Sequence, residues 1–300
     1  MESNFYAKVD TINETTYDTY TCSVVTEQNE RLTCRIPKEH SFKQNAVYNF
    51  EVEPIIFKEK QQYLVTESVH IDDADISFER RSELMECFYE FAPVNPTKVK
   101  EVIESYLAKL ENKAIKEIVF EMYKEFEQRF YLYPAATKFH HAYIGGLSYH
   151  TSTMLRLIDG FLEVYPFLNQ DLLIAGIMLH DMYKTSELTN YAGPEYSKEG
   201  KLLGHITMSV KGIEVTAQRF GYGGSEEALL LQHMVLSHHY YGNYGSPKKP
   251  MIPEALIVHF IDNIDSKLTV LEEVLAQTEK GEFTSPIAVA DREKYYKSKL

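Results

Sequence analysis

The second half of the chain carries histidines and aspartates within stretches that are otherwise predicted to be helical. They are His150, His180-Asp181, His205, His238-His239 and Asp262. Imidazole nitrogens and carboxylate oxygens together suit first-row transition metals. A carboxylate shared between two sets of histidines can hold two ions and a reactive hydroxide. The pattern therefore predicts a metal-dependent phosphohydrolase.

Two of these positions interrupt strongly apolar sequence. His180-Asp181 follows the run Leu172–Leu179, and Asp262 lies inside an apolar helix with Asp265 one turn further along. A buried polar group without a partner costs roughly several kcal/mol, and a metal ion would satisfy all of these side chains. For a single aspartate, a hydrogen bond or a salt bridge would be the simpler explanation.

The histidines have structural alternatives as well. A lone histidine in the middle of a helix, such as His150, is more often structural than a ligand. His238 and His239 end a predicted helix, where a protonated ring also complements the helix dipole. Adjacent histidines cannot be ranked from sequence, so His239 is an alternative to His238. His140 and His141 are predicted to lie at the surface or around the ligands.

Composition limits the class of protein. The chain has 300 residues, of which 44% are hydrophobic and 25% charged, as in a globular protein with one or two domains. No run of 18 apolar residues and no signal-like leader is present, so we expect a cytoplasmic protein without a membrane span. Three cysteines without a C-x-x-C spacing disfavour disulfides and thiolate zinc sites. The formal net charge of −13 argues against nonspecific duplex binding through a basic face.

Hydrophobic patterning predicts two domains. Residues 1–78 contain four or five short β-branched or alternating runs, which favour a small OB-like barrel, and the pattern equally permits an SH3-like barrel. Residues 79–96, which include Pro93 and Pro96, are predicted to be a linker. Residues 97–300 are predicted to be all-α. Two amphipathic helices within 97–130 carry apolar faces that would permit a homo-oligomer. Further helices are expected at about 142–161, 170–183, 204–219, 226–239 and 254–278.

The same residues carry a resemblance to a known family. His150, His180-Asp181 and Asp262 match the H…HD…D pattern of the HD-domain superfamily of metal-dependent phosphohydrolases. The stretch from Tyr133 to His150 resembles the YhaM-type 3′-to-5′ exoribonucleases, which join an N-terminal OB-fold to a C-terminal HD domain. The resemblance covers residues 97–275 well and the barrel only weakly.

The resemblance implies the following site. One ion would be held by His150, His180, Asp181 and Asp262, and a second by Asp181, His205 and His238, with His239 as the substitute. Lys184 would neutralise a phosphate oxygen beside the catalytic Asp181. Manganese is the favoured ion, with iron, cobalt and zinc as alternatives. Tyr183 replaces the glycine that is usual in the family, which would narrow the pocket or alter the reach of the substrate.

The implied reaction is hydrolysis of single-stranded RNA from its 3′ end, with release of nucleoside 5′-monophosphates and with DNA as an alternative substrate. A small-nucleotide or cyclic-dinucleotide phosphohydrolase is a second hypothesis. A non-catalytic nucleic-acid-binding protein is a third. Residues 1–78 contain 7 Lys and Arg against 14 Asp and Glu, a net charge of −7 that is unexpected for a module that follows an RNA backbone.

Overall fold

The computed structural model describes residues 4–136, 143–192 and 194–300. The chain divides into two compact units, Met1–Phe91 and Ala92–Leu300. The first unit contains all of the described strands, and the second is built from helices. Among the helices in the described ranges, none is both long and apolar enough to cross a membrane.

Five strands of the first unit form a closed barrel. They are β1 (Asn4–Asn13), β2 (Thr19–Thr26), β3 (Arg31–Pro37), β4 (Val47–Phe57) and β5 (Lys60–His70), in the spatial order β1-β2-β3-β5-β4. Neighbouring strands are antiparallel except β3 and β5, which run parallel. Alternate side chains point inward to a core that includes Val9, Val24, Ile36, Phe50 and Val65. Strands β2 to β5 contain the β-branched or alternating runs at 20–25, 31–36, 47–52 and 62–66, from which the sequence predicted strands.

A helix that the sequence assigned to the linker belongs to the first unit. Helix α1 (Phe78–Phe88) begins at the cap Ser77, whose hydroxyl accepts the Arg80 N–H. The buried Arg81 donates hydrogen bonds to the carbonyls of Ile71 and Ala74, at the end of the barrel. These bonds fix α1 against the chain that leaves β5. The linker predicted at 79–96 is therefore shorter in the structure.

Eight α-helices of the second unit lie in the described ranges. They are α2 (Pro96–Leu107), α3 (Lys113–Phe130), α4 (Gly146–Val164), α5 (Gln170–Leu179), α6 (Lys184–Glu187), α7 (Lys198–Arg219), α8 (Glu226–Ser237) and α9 (Pro253–Ala276). Helix α5 is buried along most of its length and packs against α3, α4, α8 and α9. Its continuous apolar sequence reflects this central position, since no face of the helix meets solvent.

The apolar faces of α2 and α3 are used within the second unit. Val99, Ile103, Ile118, Val119 and Met122 are all buried. From the sequence we expected these apolar faces to be exposed and to permit self-association. Because the unit itself covers them, they give no support to a homo-oligomer.

Candidate functional site

The structure brings every predicted ligand to one region of the helical unit. One group consists of Asp181, His205, His238 and His239, and the other of His150, His180 and Asp262. Within each group, one potential ligand atom per residue lies within 4.8 Å of the others. His238 and His239 both belong to the first group. His140 and His141 lie outside the described residues.

Close helix packing explains why these side chains meet. A Cβ added at Gly176 of α5 would lie 2.3 Å from Cε of Met234 in α8, so the two helices pack closely and a larger residue at 176 would displace the Met234 side chain. His180 and His238 are the C-terminal caps of these same two helices. Gly204 has a φ of 71° and interrupts α7, so that His205 begins a new helical stretch. The predicted helix over 170–183 ends at Leu179, and α6 follows as a separate turn.

Five histidines share one arrangement, in which Nδ1 contacts an oxygen of the protein. Nδ1 of His180, His238 and His239 lies 2.6 to 2.7 Å from the carbonyls of Ile177, Val235 and Tyr244, respectively. Nδ1 of His150 lies 2.6 Å from Asp265, and Nδ1 of His205 lies 3.0 Å from Glu187. A carbonyl oxygen only accepts, so Nδ1 of His180, His238 and His239 must carry the proton, which leaves the Nε2 lone pair for a ligand. Histidines that bind metals are oriented in this way.

Four atoms of the site are buried polar groups that protein atoms do not satisfy. Nε2 of His180, His205 and His238, together with Oδ1 of Asp181, have no hydrogen-bond partner among the described residues. They nevertheless lie close together, since His205 Nε2 is 3.2 Å from Asp181 Oδ1. Buried acceptors that converge without a donor are costly, and a cation between them removes that cost. The residues therefore fit a divalent metal.

The histidines of the site differ in the direction in which their pKa values are shifted. Burial lowers the pKa of His238 and of His239, and the neighbouring histidines lower the pKa of His238 further. Both rings are therefore neutral at neutral pH, as ligands must be. Burial also disfavours the charged form of His150, but its bonds to Asp262 and Asp265 outweigh burial and raise its pKa to about 10. His150 must therefore release a proton before it can bind a metal.

Asp181 is the most highly connected carboxylate of the site. Burial alone would raise the pKa of this carboxyl, but Lys184 and His180 hold it well below its usual value. Lys184 Nζ lies 2.7 Å from Asp181 Oδ2 and donates a hydrogen bond to the Ala135 carbonyl at 2.6 Å. The Lys184 side chain is only 14% exposed, so it is not a solvated lysine at a helix end. Lys184 is a fixed positive charge beside the site.

Two acidic residues that support the site were not assigned to it from the sequence. Glu187 accepts the backbone N–H of His205 and contacts its ring, and Asp265 contacts the ring of His150. The sequence indicated only that Asp265 lies one helical turn beyond Asp262. The contact of Glu187 could not be predicted from a local sequence pattern, because its partner His205 lies 18 residues further along the chain. A third support is His259, whose Nδ1 lies 2.8 Å from the carbonyl of His238.

Tyr183 does not narrow the site in the way that its position beside the ligands suggested. Its ring packs against Phe126 of α3, with 4.8 Å between ring centroids. A Cβ added at Gly212 of α7 would lie 2.1 Å from the Tyr183 hydroxyl oxygen. The φ of residue 183 is −74°, so its backbone does not require glycine. The ring therefore fills a space between α3 and α7.

Comparison with known proteins agrees with this geometry. The family described as HD domain matches residues 147–267, which include every candidate ligand. A protein of Bacillus subtilis (strain 168) named 3′-5′ exoribonuclease YhaM is 38% identical over 231 residues, which cover 77% of this chain and 69% of that protein. The chain belongs to the YhaM family. This bears out the resemblance that the histidine and aspartate pattern indicated.

Other YhaM proteins match over a similar length. The protein of Geobacillus sp. (strain WCH70) is 44% identical over 210 residues, and that of Bacillus pumilus (strain SAFR-032) is 41% identical over 210 residues. The aligned segment covers 70% of this chain in both cases. It spans 64% of the Geobacillus protein and 67% of the Bacillus pumilus protein.

Proposed function

We propose that this protein is a metal-dependent 3′-to-5′ exoribonuclease that hydrolyses single-stranded RNA to nucleoside 5′-monophosphates. The observation that carries the proposal is the set of buried Nε2 and carboxylate atoms that converge without hydrogen-bond partners. Membership of the YhaM family supplies the class of reaction. We place this activity in the cytoplasm.

The two groups of side chains correspond to two ion sites. His150, His180 and Asp262 would hold one ion, and His205, His238 and His239 the other, with Asp181 beside both. Manganese is the favoured ion, and iron, cobalt or zinc would suit the same nitrogen and oxygen ligands. Such ions lower the pKa of a bound water, so that hydroxide is available at neutral pH to attack a phosphodiester.

The chain's own residues supply orientation and charge. Asp181 is kept ionised by Lys184, so it can serve both groups of histidines without taking up a proton. The raised pKa of Lys184 keeps its ammonium charged in spite of burial, mainly because of Asp181. A positive charge fixed there would stabilise the negative charge that develops on phosphoryl oxygens during attack.

For the first unit we propose an OB-like barrel that assists in binding nucleic acid. The strand order β1-β2-β3-β5-β4, with parallel β3 and β5, suits that class. Most of its aromatic rings fill the core, as Phe50 does. Tyr17 is 49% exposed, and beside it the guanidinium of the buried Arg35 lies over the half-buried Phe57 ring at 3.7 Å. The exposed ring of Tyr17 therefore offers an aromatic surface on which a base could stack.

The test is digestion of a 5′-end-labelled single-stranded RNA with Mn²⁺, in which the wild type is compared with Asp181→Ala. Stepwise shortening from the 3′ end, with release of nucleoside 5′-monophosphates by the wild type alone, is the expected result. The variant should retain the circular dichroism spectrum of the wild type. RNA that stays intact with each of Mn²⁺, Fe²⁺, Co²⁺ and Zn²⁺ would refute the exoribonuclease. Small nucleotides and cyclic dinucleotides would then be the next substrates to test.

A further inference from the structure

A strip of aromatic rings, exposed at one end and half-buried at the other, begins directly after the ligand pair His238-His239. The strip consists of Tyr244, Tyr241, Tyr240 and His259. Successive ring centroids are 6.2, 4.8 and 5.1 Å apart. Tyr241 is 52% exposed and Tyr244 is 62% exposed. Large aromatic rings that remain in water next to a reaction centre indicate a binding surface.

The strip is held rigidly to the candidate metal ligands. The carbonyl of Tyr244 lies 2.6 Å from Nδ1 of His239. The buried Ser246 accepts the backbone N–H of His239 at 3.0 Å, and its own N–H donates to the carbonyl of Tyr241. His259 reaches the carbonyl of His238. The backbone that carries Tyr241 and Tyr244 is therefore tied to the site, which lowers the entropic cost of binding a ligand on their rings.

The charge of the same segment is opposite to that of the chain as a whole. From His238 to Pro253 the sequence contains Lys248 and Lys249 and no aspartate or glutamate, whereas the whole chain has a formal net charge of −13. Both lysines are exposed. Lys249 Nζ lies 4.8 Å from the centroid of the Tyr240 ring. Aromatic faces interleaved with lysines are the features that bind single-stranded nucleic acid without reading its sequence.

We propose that this strip is a stacking platform for the bases of single-stranded nucleic acid next to the scissile phosphodiester. Tyr241 and Tyr244 would stack on bases, and Lys248 and Lys249 would neutralise the adjoining phosphates. The platform rests on the proposed exonuclease function and deepens it, because it names what holds the strand while its end lies among the ligands. Stacking tolerates every base, as complete digestion of a strand requires.

A second copy of the chain is the rival occupant of this region. Phe260, whose ring contacts His259 at 5.4 Å, also belongs to an exposed apolar row on α9 with Leu256, Ile264 and Leu268. Tyr241 and Tyr244 precede α9 and are not members of that row. They are therefore the positions at which base stacking can be tested separately from self-association.

The test variant is Tyr241→Ala/Tyr244→Ala in the full chain. A matched control exists in Tyr165→Ala/Phe167→Ala, because these two exposed rings lie 6.3 Å apart in a similar edge arrangement. They follow the end of α4 and precede α5, at the ends of those helices remote from His150 and His180. Tyr241→Phe/Tyr244→Phe is the conservative variant, since it keeps both stacking faces.

Binding is measured by fluorescence anisotropy of a labelled oligoribonucleotide in EDTA, so that affinity is read without cleavage. The alanine pair at 241 and 244 should weaken binding by about tenfold or more, whereas the Phe pair and the control pair should bind like the wild type. An abasic strand of equal length should bind the wild type and the alanine pair equally.

The contribution of Lys248 and Lys249 is distinguished from stacking by its effect on the abasic strand and by its dependence on salt. Lys248→Gln/Lys249→Gln should weaken both the RNA and the abasic strand, and it should reduce the slope of log affinity against log salt by roughly 0.7 for each phosphate that is no longer neutralised. Equal RNA affinity of the wild type and the alanine pair would overturn the platform, even if the enzyme degrades RNA. A change in the molar mass of the alanine pair by light scattering, without a change in RNA affinity, would assign the strip to a second copy. If the wild type binds RNA through the strip but does not cleave it, the proposed reaction fails and the platform stands.

Discussion

Glu187 holds His205 through both oxygens of its carboxylate. Oε1 accepts the backbone N–H of His205, and Oε2 contacts its Nδ1, each at 3.0 Å. The first contact satisfies a donor at the break that Gly204 introduces into α7. The second keeps the proton on Nδ1 and directs the Nε2 lone pair toward Asp181, 3.2 Å away. One side chain therefore fixes both the start of a helical stretch and the tautomer of a candidate ligand.

Glu187→Gln should weaken the ion site of the group that contains His205. His205 presents two N–H donors, its backbone N–H and its Nδ1–H, but the glutamine amide has only one acceptor oxygen. The amide NH₂ would therefore face one of these two donors. Removal of such a supporting partner costs about 10- to 100-fold in metal affinity. Calorimetric titration with Mn²⁺ should show that one of two binding events is weakened. If both events keep the wild-type affinity, Glu187 does not orient His205.

Asp265→Ala should affect the other ion. Asp265 contacts His150 Nδ1 at 2.6 Å, and His150 belongs to the group with His180 and Asp262. Without this carboxylate the ring loses its orientation, and its group should bind Mn²⁺ more weakly while the group with His205 keeps its affinity. Asp265→Asn should recover part of the loss, because an amide oxygen still accepts from Nδ1. If the same binding event is weakened by Asp265→Ala and by Glu187→Gln, the two-site assignment is wrong.

The ligands could be predicted from the sequence, whereas their supports could not. His180 and Asp181 were recognisable because they directly follow a strongly apolar run, and Asp262 because it interrupts an apolar helix; both settings indicate burial with a partner. Glu187 and Asp265 are ordinary acidic residues in the sequence. Their contacts to His205 and His150 span 18 and 115 residues, and they depend on how α6 meets α7 and how α9 meets α4. Tertiary packing creates these contacts, and no local pattern encodes it.

The metal-free protein should lose stability as the pH rises above neutrality. Bonds to Asp262 and Asp265 raise the pKa of His150 from 6.5 to about 10. The folded state therefore prefers the protonated ring, so this stabilisation is complete below pH 6.5 and is lost as the pH approaches 10. Urea unfolding in EDTA should show a fall in the free energy of unfolding of up to about 1.4 kcal/mol per pH unit.

The informative window for this measurement is pH 6.5 to 8.5. Above it, the buried thiols Cys22 and Cys34, whose pKa values are raised to about 11 and about 12, begin to contribute in the same direction. Asp265→Asn removes one of the two partners of His150 and should flatten the slope in this window. A wild-type stability that is constant from pH 6.5 to 8.5 would show that His150 does not hold the proton.

Gly212→Ala should destabilise the protein because of Tyr183. In an ordinary helix interior, replacement of glycine by alanine stabilises by about 1 kcal/mol. Here the new Cβ would lie 2.1 Å from the Tyr183 hydroxyl oxygen and 2.6 Å from Cζ, and Phe126 limits how far the ring can move. In the Tyr183→Ala background the clash disappears, so the same substitution should become stabilising. The sign of the Gly212→Ala effect on the free energy of unfolding should therefore reverse between the two backgrounds, as measured by urea titration of the four proteins of this cycle. If the effects of the two substitutions on the free energy of unfolding are additive, the Tyr183 ring does not occupy the space beside Gly212. The ring would then lie toward the pocket at the metal ligands, as the sequence suggested.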